Sequence, residues 1–398
     1  MKNNCHHIVK LGFVFPLFFL FSFSTLSAQE PKNRIAIFTP IYIDSAFNGS
    51  NFKIWQNNLP KNMIAGLEFY NGVQMAIDSL NNGGISNLII DIYDYKNKGN
   101  SIAEIIKNNK NNLVESKIII ANFNSYTDIK LLAEYANLKK IPLISASYPN
   151  DGGVTNNPYF FLINPTIQTH TNAIYRNIVT NFQQTNIIYI KCKGYFENMV
   201  DNYFKEYEKT ISIEKKLNLN PIQFVDTFSA DQFYSKLDST LQNTILCNCS
   251  KEAFAQRVLT ALALRPSYYT TVIGMPTWDA LKNLTEPEYK GVTFNYTSAY
   301  NYSASSSLLQ FISKSYESKY FTSINDNFLK GYETMLRVGK LVSLYGNNAI
   351  TLLSDDLFRV FNEFKIEAKF NSKNQIEYFE NKKIYTITKL SGEVINVE

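Results

Sequence analysis

The sequence predicts an α/β protein made of two doubly wound parallel-sheet units. Three observations carry this expectation. Short apolar strands alternate with amphipathic helices from residue 34 onward. The same rhythm restarts after residue 164. A chain of 398 residues, 45% apolar and 18% charged, is long enough for two or three domains of ~100–200 residues each.

Ahead of that pattern lies a segment of another kind. The first ten residues carry Lys2 and Lys10, residues 11–23 form an apolar run broken only by Gly12, Pro16 and Ser22, and Ser27-Ala28 precede Gln29. This is the order of a secretory signal peptide over residues 1–28, which places the mature protein in the periplasm. The apolar core is shorter than the ~20 residues a membrane span needs, and no stop-transfer pattern follows. An uncleaved anchor is the alternative; Cys5 lies before the run, so a lipid anchor is not supported. Cleavage takes Lys2 and Lys10 from a net charge of +5. With no basic cluster left, a nucleic-acid partner is not indicated. Cleavage also removes Cys5, His6 and His7, leaving Cys192, Cys247, Cys249 and a single histidine, His170. That excludes a His-rich metal site and confines any His-based triad to His170.

The elements follow in order. Residues 34–39 (RIAIFT) read as a buried strand and 69–81 as a helix with Val73, Ala76, Ile77 and Leu80 on one face, stopped by Gly83-Gly84. Strands at 88–93, 117–122, 141–145 and 160–164 alternate with helices at 101–109 and 128–138. Such alternation argues for a parallel sheet covered on both faces. The second unit repeats it: helices at 171–182, 196–209, 231–241, 251–264 and 278–284, and strands at 186–191, 222–227, 244–249, 270–274 and 291–296. Helices at 306–319 and 327–345 come next, then hairpin-like strands around 366–370, 375–379 and 384–390. No low-complexity linker separates the units, so several short crossings are expected to join them.

At this level of detail the chain resembles the type I periplasmic binding proteins, the family of the leucine/isoleucine/valine-binding protein. Three stretches carry the likeness. Residues 66–85 (GLEFYNGVQMAIDSLNNGGI) resemble the family's first helix and its Gly-Gly-Ile stop. Residues 132–137 (LAEYAN) with 141–147 (IPLISAS) resemble the helix and strand before the main ligand loop. Residues 159–166 (YFFLINPT) resemble the first passage between lobes. The resemblance implies two lobes, 32–164 with 298–369 and 165–297 with 370–398. It also implies a three-crossing hinge at Asn164-Pro165, Thr297-Ser298 and Phe370-Asn371, and closure on a small polar solute. A membrane permease would then be the partner, a monomer the working form, and no cofactor is expected.

The ligand would lie outside the carboxyl ends of the strands. In the first lobe that selects Asn124, Ser125 and Tyr126, before a helix, and Ser145, Ala146 and Ser147. Hydroxyl and amide groups beside free helix N–H groups suit an anion such as an amino-acid carboxylate, although the same residue types serve as plain N-caps. In the second lobe it selects Tyr195, Asn248, Trp278 and Asp279. Here the chain departs from the family. Amino-acid binders place a Glu soon after the Gly that ends the fourth strand, to pair with the ligand ammonium; after Gly274 this chain has Met275-Pro276-Thr277. Asp279 is the carboxylate able to substitute, and an Asp at a helix start also serves as a cap. A cleft rich in Tyr, Trp, Asn and Ser would equally suit a sugar, a peptide fragment or an amide.

If the second lobe has strand order 2-1-3-4-5, its first and third strands are neighbours, and Cys192 ends beside Cys247 or Cys249. Unpaired thiols are the favoured reading, and if a disulfide forms in an oxidising compartment Cys192–Cys249 is the pair. Enzyme readings find little support: there is no Gly-x-Gly-x-x-Gly after the first strand, no Walker loop, no Gly-x-Ser-x-Gly elbow and no paired His. Two functions therefore remain in view. One is a periplasmic solute-binding component of ABC-type uptake. The other is a cell-envelope sensing or protein-interaction domain, such as a regulator of peptidoglycan synthesis, on the same fold.

Overall fold

The computed structural model describes residues 32–53, 58–224, 228–283, 289–303 and 306–398. The expected signal peptide (1–28), the end of the strand expected at 222–227 and the last residue of the helix expected at 278–284 lie outside the described residues. The first half of the chain contributes β1 (Asn33–Thr39), β2 (Leu88–Asp94), β3 (Ser116–Ala121), β4 (Leu143–Ser145) and β5 (Phe160–Leu162). The second contributes β6 (Asn186–Lys191), β7 (Ile222–Gln223), β8 (Asn243–Asn248), β9 (Thr270–Ile273) and β10 (Thr293–Ser298). Four further strands follow: β11 (Ile366–Phe370), β12 (Ile376–Asn381), β13 (Tyr385–Leu390) and β14 (Glu393–Val397).

They form two seven-stranded sheets, in the orders β11-β12-β5-β4-β3-β1-β2 and β14-β13-β10-β9-β8-β6-β7. In each, the five strands from the repeating part run parallel. Both faces of the first sheet are covered. Along β1, Ile35 and Ile37 enter one apolar cluster while Ala36 and Phe38 enter the other, as the period of two in a strand requires.

Two helices, Lys61–Asn82 and Asp326–Tyr345, lie against each other on one face. Their contact is backbone to backbone. A Cβ on Gly72 would stand 2.0 Å from the Phe328 carbonyl oxygen, and one on Gly331 would stand 2.3 Å from that of Phe69. The glycines let the helices approach until Phe69, Val73, Phe328 and Met335 are sealed beneath them.

One boundary differs from expectation. The chain does not leave the first lobe at Phe370-Asn371. It turns over Asn371–Asn374 and pairs β12 antiparallel to β11 and parallel to β5. The alternation of β12 explains this: Tyr378 faces one core of the first sheet, and Phe379 stacks on Phe161 at 4.8 Å on the other. Both faces of that strand are covered, so each carries an aromatic ring. The third crossing is therefore the short link between Asn381 and Tyr385, and only β13 and β14 join the second sheet. The helix expected over 231–241 is also shorter, spanning Ala230–Tyr234. Beyond it the Asp238 carboxylate folds residues 238–241 into a turn, accepting from the Thr240 and Leu241 amides at 2.7 and 3.0 Å.

Candidate ligand cleft

Three links join the sheets: after β5, after β10 and after β12. Side chains fasten each of them. Asn381 Nδ2 donates to the Ile163 carbonyl at 3.1 Å, and its Oδ1 accepts from the Lys365 and Lys383 amides. Asn164 Nδ2 donates to the Ser147 carbonyl at 2.8 Å. At the second link the Asn301 amide donates to Asn362 Oδ1 at 2.7 Å. Asn362 is itself held by the buried Glu333, which accepts from its amide and its Nδ2, each at 2.6 Å. Burial pushes the Glu333 carboxyl above the usual carboxylate range, although those donors oppose the shift.

Between the lobes, beside these links, lies a cavity of about 790 Å³. Pro149, from the loop after β4, and Pro276, Thr277 and Asp279, from the segment after β9, share its wall. The carboxyl ends of strands from both sheets thus face one space, where an open parallel sheet presents its loops. Tyr296, Tyr300 and Tyr302 come from β10 and the link after it. Tyr300 and Tyr302 stack at 5.7 Å, Lys330 Nζ lies 4.7 Å from the Tyr300 ring centre, and Tyr300 Oη donates to the Ala146 carbonyl at 3.0 Å. Burial raises the Tyr296 phenol, and the charge of Asp279, to which it donates, raises it further; Asp326 adds to the effect. Asp279 belongs to the second lobe and Asp326 to the first. Tyr296 thus lies under the influence of carboxylates from both sides of the cleft.

Of the residues singled out from the sequence, Asp279 lines this cavity. Ser125 caps the helix Tyr126–Lys139, accepting from the Asp128 amide at 3.3 Å. Asn124 bridges two phenols, donating to Tyr42 Oη at 2.9 Å and accepting from Tyr95 Oη at 3.4 Å. Ser147 donates to Asn122 Oδ1. Tyr126 is half exposed and Tyr195 is 86% exposed, so neither is packed into a wall.

Four residues are placed differently from expectation. Trp278 is 1% exposed: its ring covers Gly274 in the second core and its Nε1 donates to the Cys249 carbonyl at 3.2 Å. A large ring five residues past the strand's last residue, Ile273, found the core because Gly274 leaves room for it. Asn248 is fully buried, donating to Tyr189 Oη and to the Glu197 carbonyl, both at 2.9 Å. Ser145 and Ala146 are also buried, because β4 is a central strand of its sheet. The Ser145 hydroxyl finds no partner among the described residues. The tyrosines at 296, 300 and 302, with Phe196, were missed. The available signal was their position: they flank the expected crossing at Thr297-Ser298 or follow the strand that precedes Tyr195.

Cys192 and Cys249 form a disulfide with Cα atoms 5.2 Å apart. The β6–β8 register explains the choice. Cys247 stands opposite Ile190 and Asn248 opposite Lys191, which leaves Cys249 across from Cys192. Cys247 stays a buried free thiol, pushed up by burial and by the Glu197 charge. Among the described residues no group of three or more His, Cys, Asp or Glu is arranged to hold a metal ion, and no helix is long and apolar enough to cross a membrane.

No protein-family model and no curated protein matches this chain. Solved structures do. A putative branched-chain amino acid ABC transporter from Rhodospirillum rubrum aligns at 13% identity over 91% of this chain and 99% of its own, with a TM-score of 0.65. An ABC transporter substrate-binding protein from Desulfitobacterium hafniense, in complex with Leu, aligns at 12% identity over 92% and 99%, with a TM-score of 0.52. The branched-chain amino acid transporter substrate binding protein LivJ from Streptococcus pneumoniae, in complex with isoleucine, aligns at 14% identity over 92% and 99%, with a TM-score of 0.50. At these identities the likeness is one of architecture. With two parallel-dominated sheets of matching extent, the chain has the fold of the type I periplasmic binding proteins.

Proposed function

We propose that this protein is an exported solute-binding protein that closes its lobes on a small polar, amino acid-like ligand and presents it to an ABC-type permease. The observation that carries the reading is the cavity of about 790 Å³, whose walls come from both lobes and from the links that would act as hinges. A ligand there touches both halves, so its binding energy favours the closed arrangement over the open one. In this reading Asp279 takes the ligand ammonium in place of the family Glu. The protein binds without chemistry, acts as a monomer and works in the periplasm after loss of residues 1–28. The solved relatives named above, two of them holding Leu or isoleucine, support a solute-binding role, and the Cys192–Cys249 disulfide suits an oxidising compartment.

The test is direct. Purified protein is denatured and any released small molecule identified by mass spectrometry; the refolded chain is then titrated with amino acids while its melting temperature is followed. Ligand bound to the folded state alone raises that temperature, by about 2.7 kcal/mol of added stability at a hundred times Kd. Asp279→Asn should weaken an ammonium-bearing ligand by about tenfold or more. If no solute is released and no amino acid, peptide or sugar shifts the melt, the reading falls.

A further inference from the structure

Much of the cavity wall between the lobes is apolar, and strand register fixes how the second lobe's share of it is laid out. Tyr296 on β10 stands opposite Ile387 on β13, and Ile387 stands opposite Val397 on β14. Residues directly opposite each other point to the same face of a sheet. The three therefore make one row across adjacent strands, and all three line the cavity. Two strand spacings make that row about 10 Å long. Val394 stands opposite Lys389, two residues along β13 from Ile387, so it continues the same face; it lines the cavity and is 55% exposed. The first lobe supplies Leu309 from the helix Ser307–Tyr320, Leu329 from the helix Asp326–Tyr345 and Ile324 between them, all packed in one cluster of its core.

We propose that this wall holds a linear aliphatic chain, so that the ligand is an amphiphile with an amino acid-like head and a chain longer than that of leucine or isoleucine. The proposal deepens the solute-binding reading above and rests on it. Three observations carry it. The row is continuous over three strands, whereas a leucine side chain is shorter than one strand spacing. The cavity, about 790 Å³, lies in the upper part of the range of about 300–1,000 Å³ that holds compact organic ligands, so a lone amino acid leaves much of it unfilled.

The third observation is that the charged groups of the wall already have partners. Asp279, Asp326 and Lys330 are each engaged by other groups of the protein. Asp279 accepts from the Tyr296 phenol, Lys330 lies over the Tyr300 ring, and burial keeps His170 neutral beside Thr297. An ammonium head must share Asp279 with that phenol, so the head alone gains little. Apolar surface needs no free partner, and each methylene laid along the row leaves water for an aliphatic contact. A polar tail in its place would be desolvated against Leu309, Ile324 and Val397 without gaining hydrogen bonds from them.

The experiment uses isothermal titration of the chain prepared without residues 1–28, unfolded at pH 4 without reductant and refolded to strip bound solute. The probes are 2-aminobutanoate, 2-aminohexanoate, 2-aminooctanoate and 2-aminodecanoate, which share one head, with maltose as a polar control. Affinity should rise about fourfold for each added methylene. Val394→Asp, at the exposed part of the wall, should cut the ratio of 2-aminodecanoate to 2-aminobutanoate affinity about tenfold, and Leu309→Ala should lower the same ratio. Because the ratio compares two ligands on one protein, a fraction of misfolded chain leaves it unchanged. If affinity stays flat or falls beyond 2-aminobutanoate, or if the solute released by the native protein carries no linear aliphatic chain, the chain assignment is overturned while the solute-binding reading stands. Binding to vesicles of palmitoyl-oleoyl phosphatidylcholine without binding of the free probes would overturn it too, since the wall would then meet a membrane. If none of the probes binds and the native protein releases no solute, both readings fall together.

Discussion

Glu380, on the last parallel strand of the first sheet, accepts a hydrogen bond at 2.6 Å from Thr169 Oγ1, in the first helix of the second lobe. The same carboxylate takes the Thr166 amide at 2.8 Å and the Thr166 hydroxyl at 2.9 Å, and Lys382 bonds it from the third link. Thr166 in turn caps that helix through the Thr169 amide. One buried carboxylate therefore holds the helix start of one lobe against the sheet of the other, at the point where two of the three links run side by side. An anion at a helix N-terminus is favoured by the free N–H groups and the helix dipole.

Replacing Glu380 by Gln keeps the shape, removes the charge and leaves Lys382 the Thr169 hydroxyl but no carboxylate. We expect a loss of about 1–3 kcal/mol in urea unfolding. Burial alone would raise this carboxyl, but Lys382 and the threonine donors outweigh burial and hold it below the usual carboxylate value. A depressed folded-state pKa contributes stability that is complete above the unfolded-state value and is lost as the pH falls through the folded-state value. The wild type should therefore lose stability more steeply than the Gln variant below about pH 4.3, the ordinary Glu value. Equal acid slopes in the two proteins would show that Glu380 does not play this part.

His170 gives a second pH effect, in a different window. Its Nδ1 meets Thr297 Oγ1 at 3.0 Å inside the joint, and burial pushes its pKa down to about 4. Between that value and the unfolded value of about 6.5 the unfolded chain binds the extra proton. Stability should fall as the pH is lowered across this window, by up to about 1.4 kcal/mol per pH unit, and His170→Gln should flatten that fall. With residues 1–28 removed His170 is the sole histidine, so a single imidazole resonance followed by NMR gives an independent reading.

Much of the architecture was legible before any coordinate. The strand and helix rhythm, the restart after residue 164 and the parallel core depend on periodicity, which burial enforces along every central strand. β12 is expected in the second lobe and lies in the first beside β11, because pattern tells that Tyr378 and Phe379 are both covered, not which sheet covers them. Site residues were harder still. Trp278 and Asn248 have the chemistry of a ligand wall and stand near strand ends, yet Gly274 admits the ring and Tyr189 takes the amide. Tyr300 and Phe196 look ordinary in sequence, since it is the link and the helix start they occupy that bring them to the cavity wall.

The glycine contact between the two long helices admits a sharper test. A methyl at Gly331 would press on the Phe69 carbonyl at 2.3 Å, where neither backbone can give without separating the helices. Gly331→Ala should cost about 3 kcal/mol, at the upper end of overpacking effects, although alanine favours helix in isolation. Paired with Gly72→Ala, the loss should be less than additive, because one helix displacement relieves both clashes. Full additivity in urea unfolding would argue that the two contacts are independent.

The cysteines carry the last prediction. The Cys192–Cys249 bond spans 57 residues of sequence, and closing a loop of that length removes about 4 kcal/mol of unfolded-state freedom in the chain-entropy account. Reduction, or Cys192→Ser with Cys249→Ser, should therefore lower stability by about 2–5 kcal/mol. Cys247 sits two residues from Cys249 on the same strand face and is silent in the native fold, where burial hides it and raises its pKa. Unfolding frees it, and at pH 8.5 about half of such thiols ionise and can attack the bond. The chain prepared without residues 1–28, unfolded without reductant at that pH and then refolded, should yield Cys192–Cys247 and Cys247–Cys249 isomers alongside the native pairing. Unfolding at pH 4 should yield the native pairing alone, as should Cys247→Ser at either pH. Non-reducing peptide mass spectrometry distinguishes these species, and scrambling that persists in Cys247→Ser would rule out this thiol as the nucleophile.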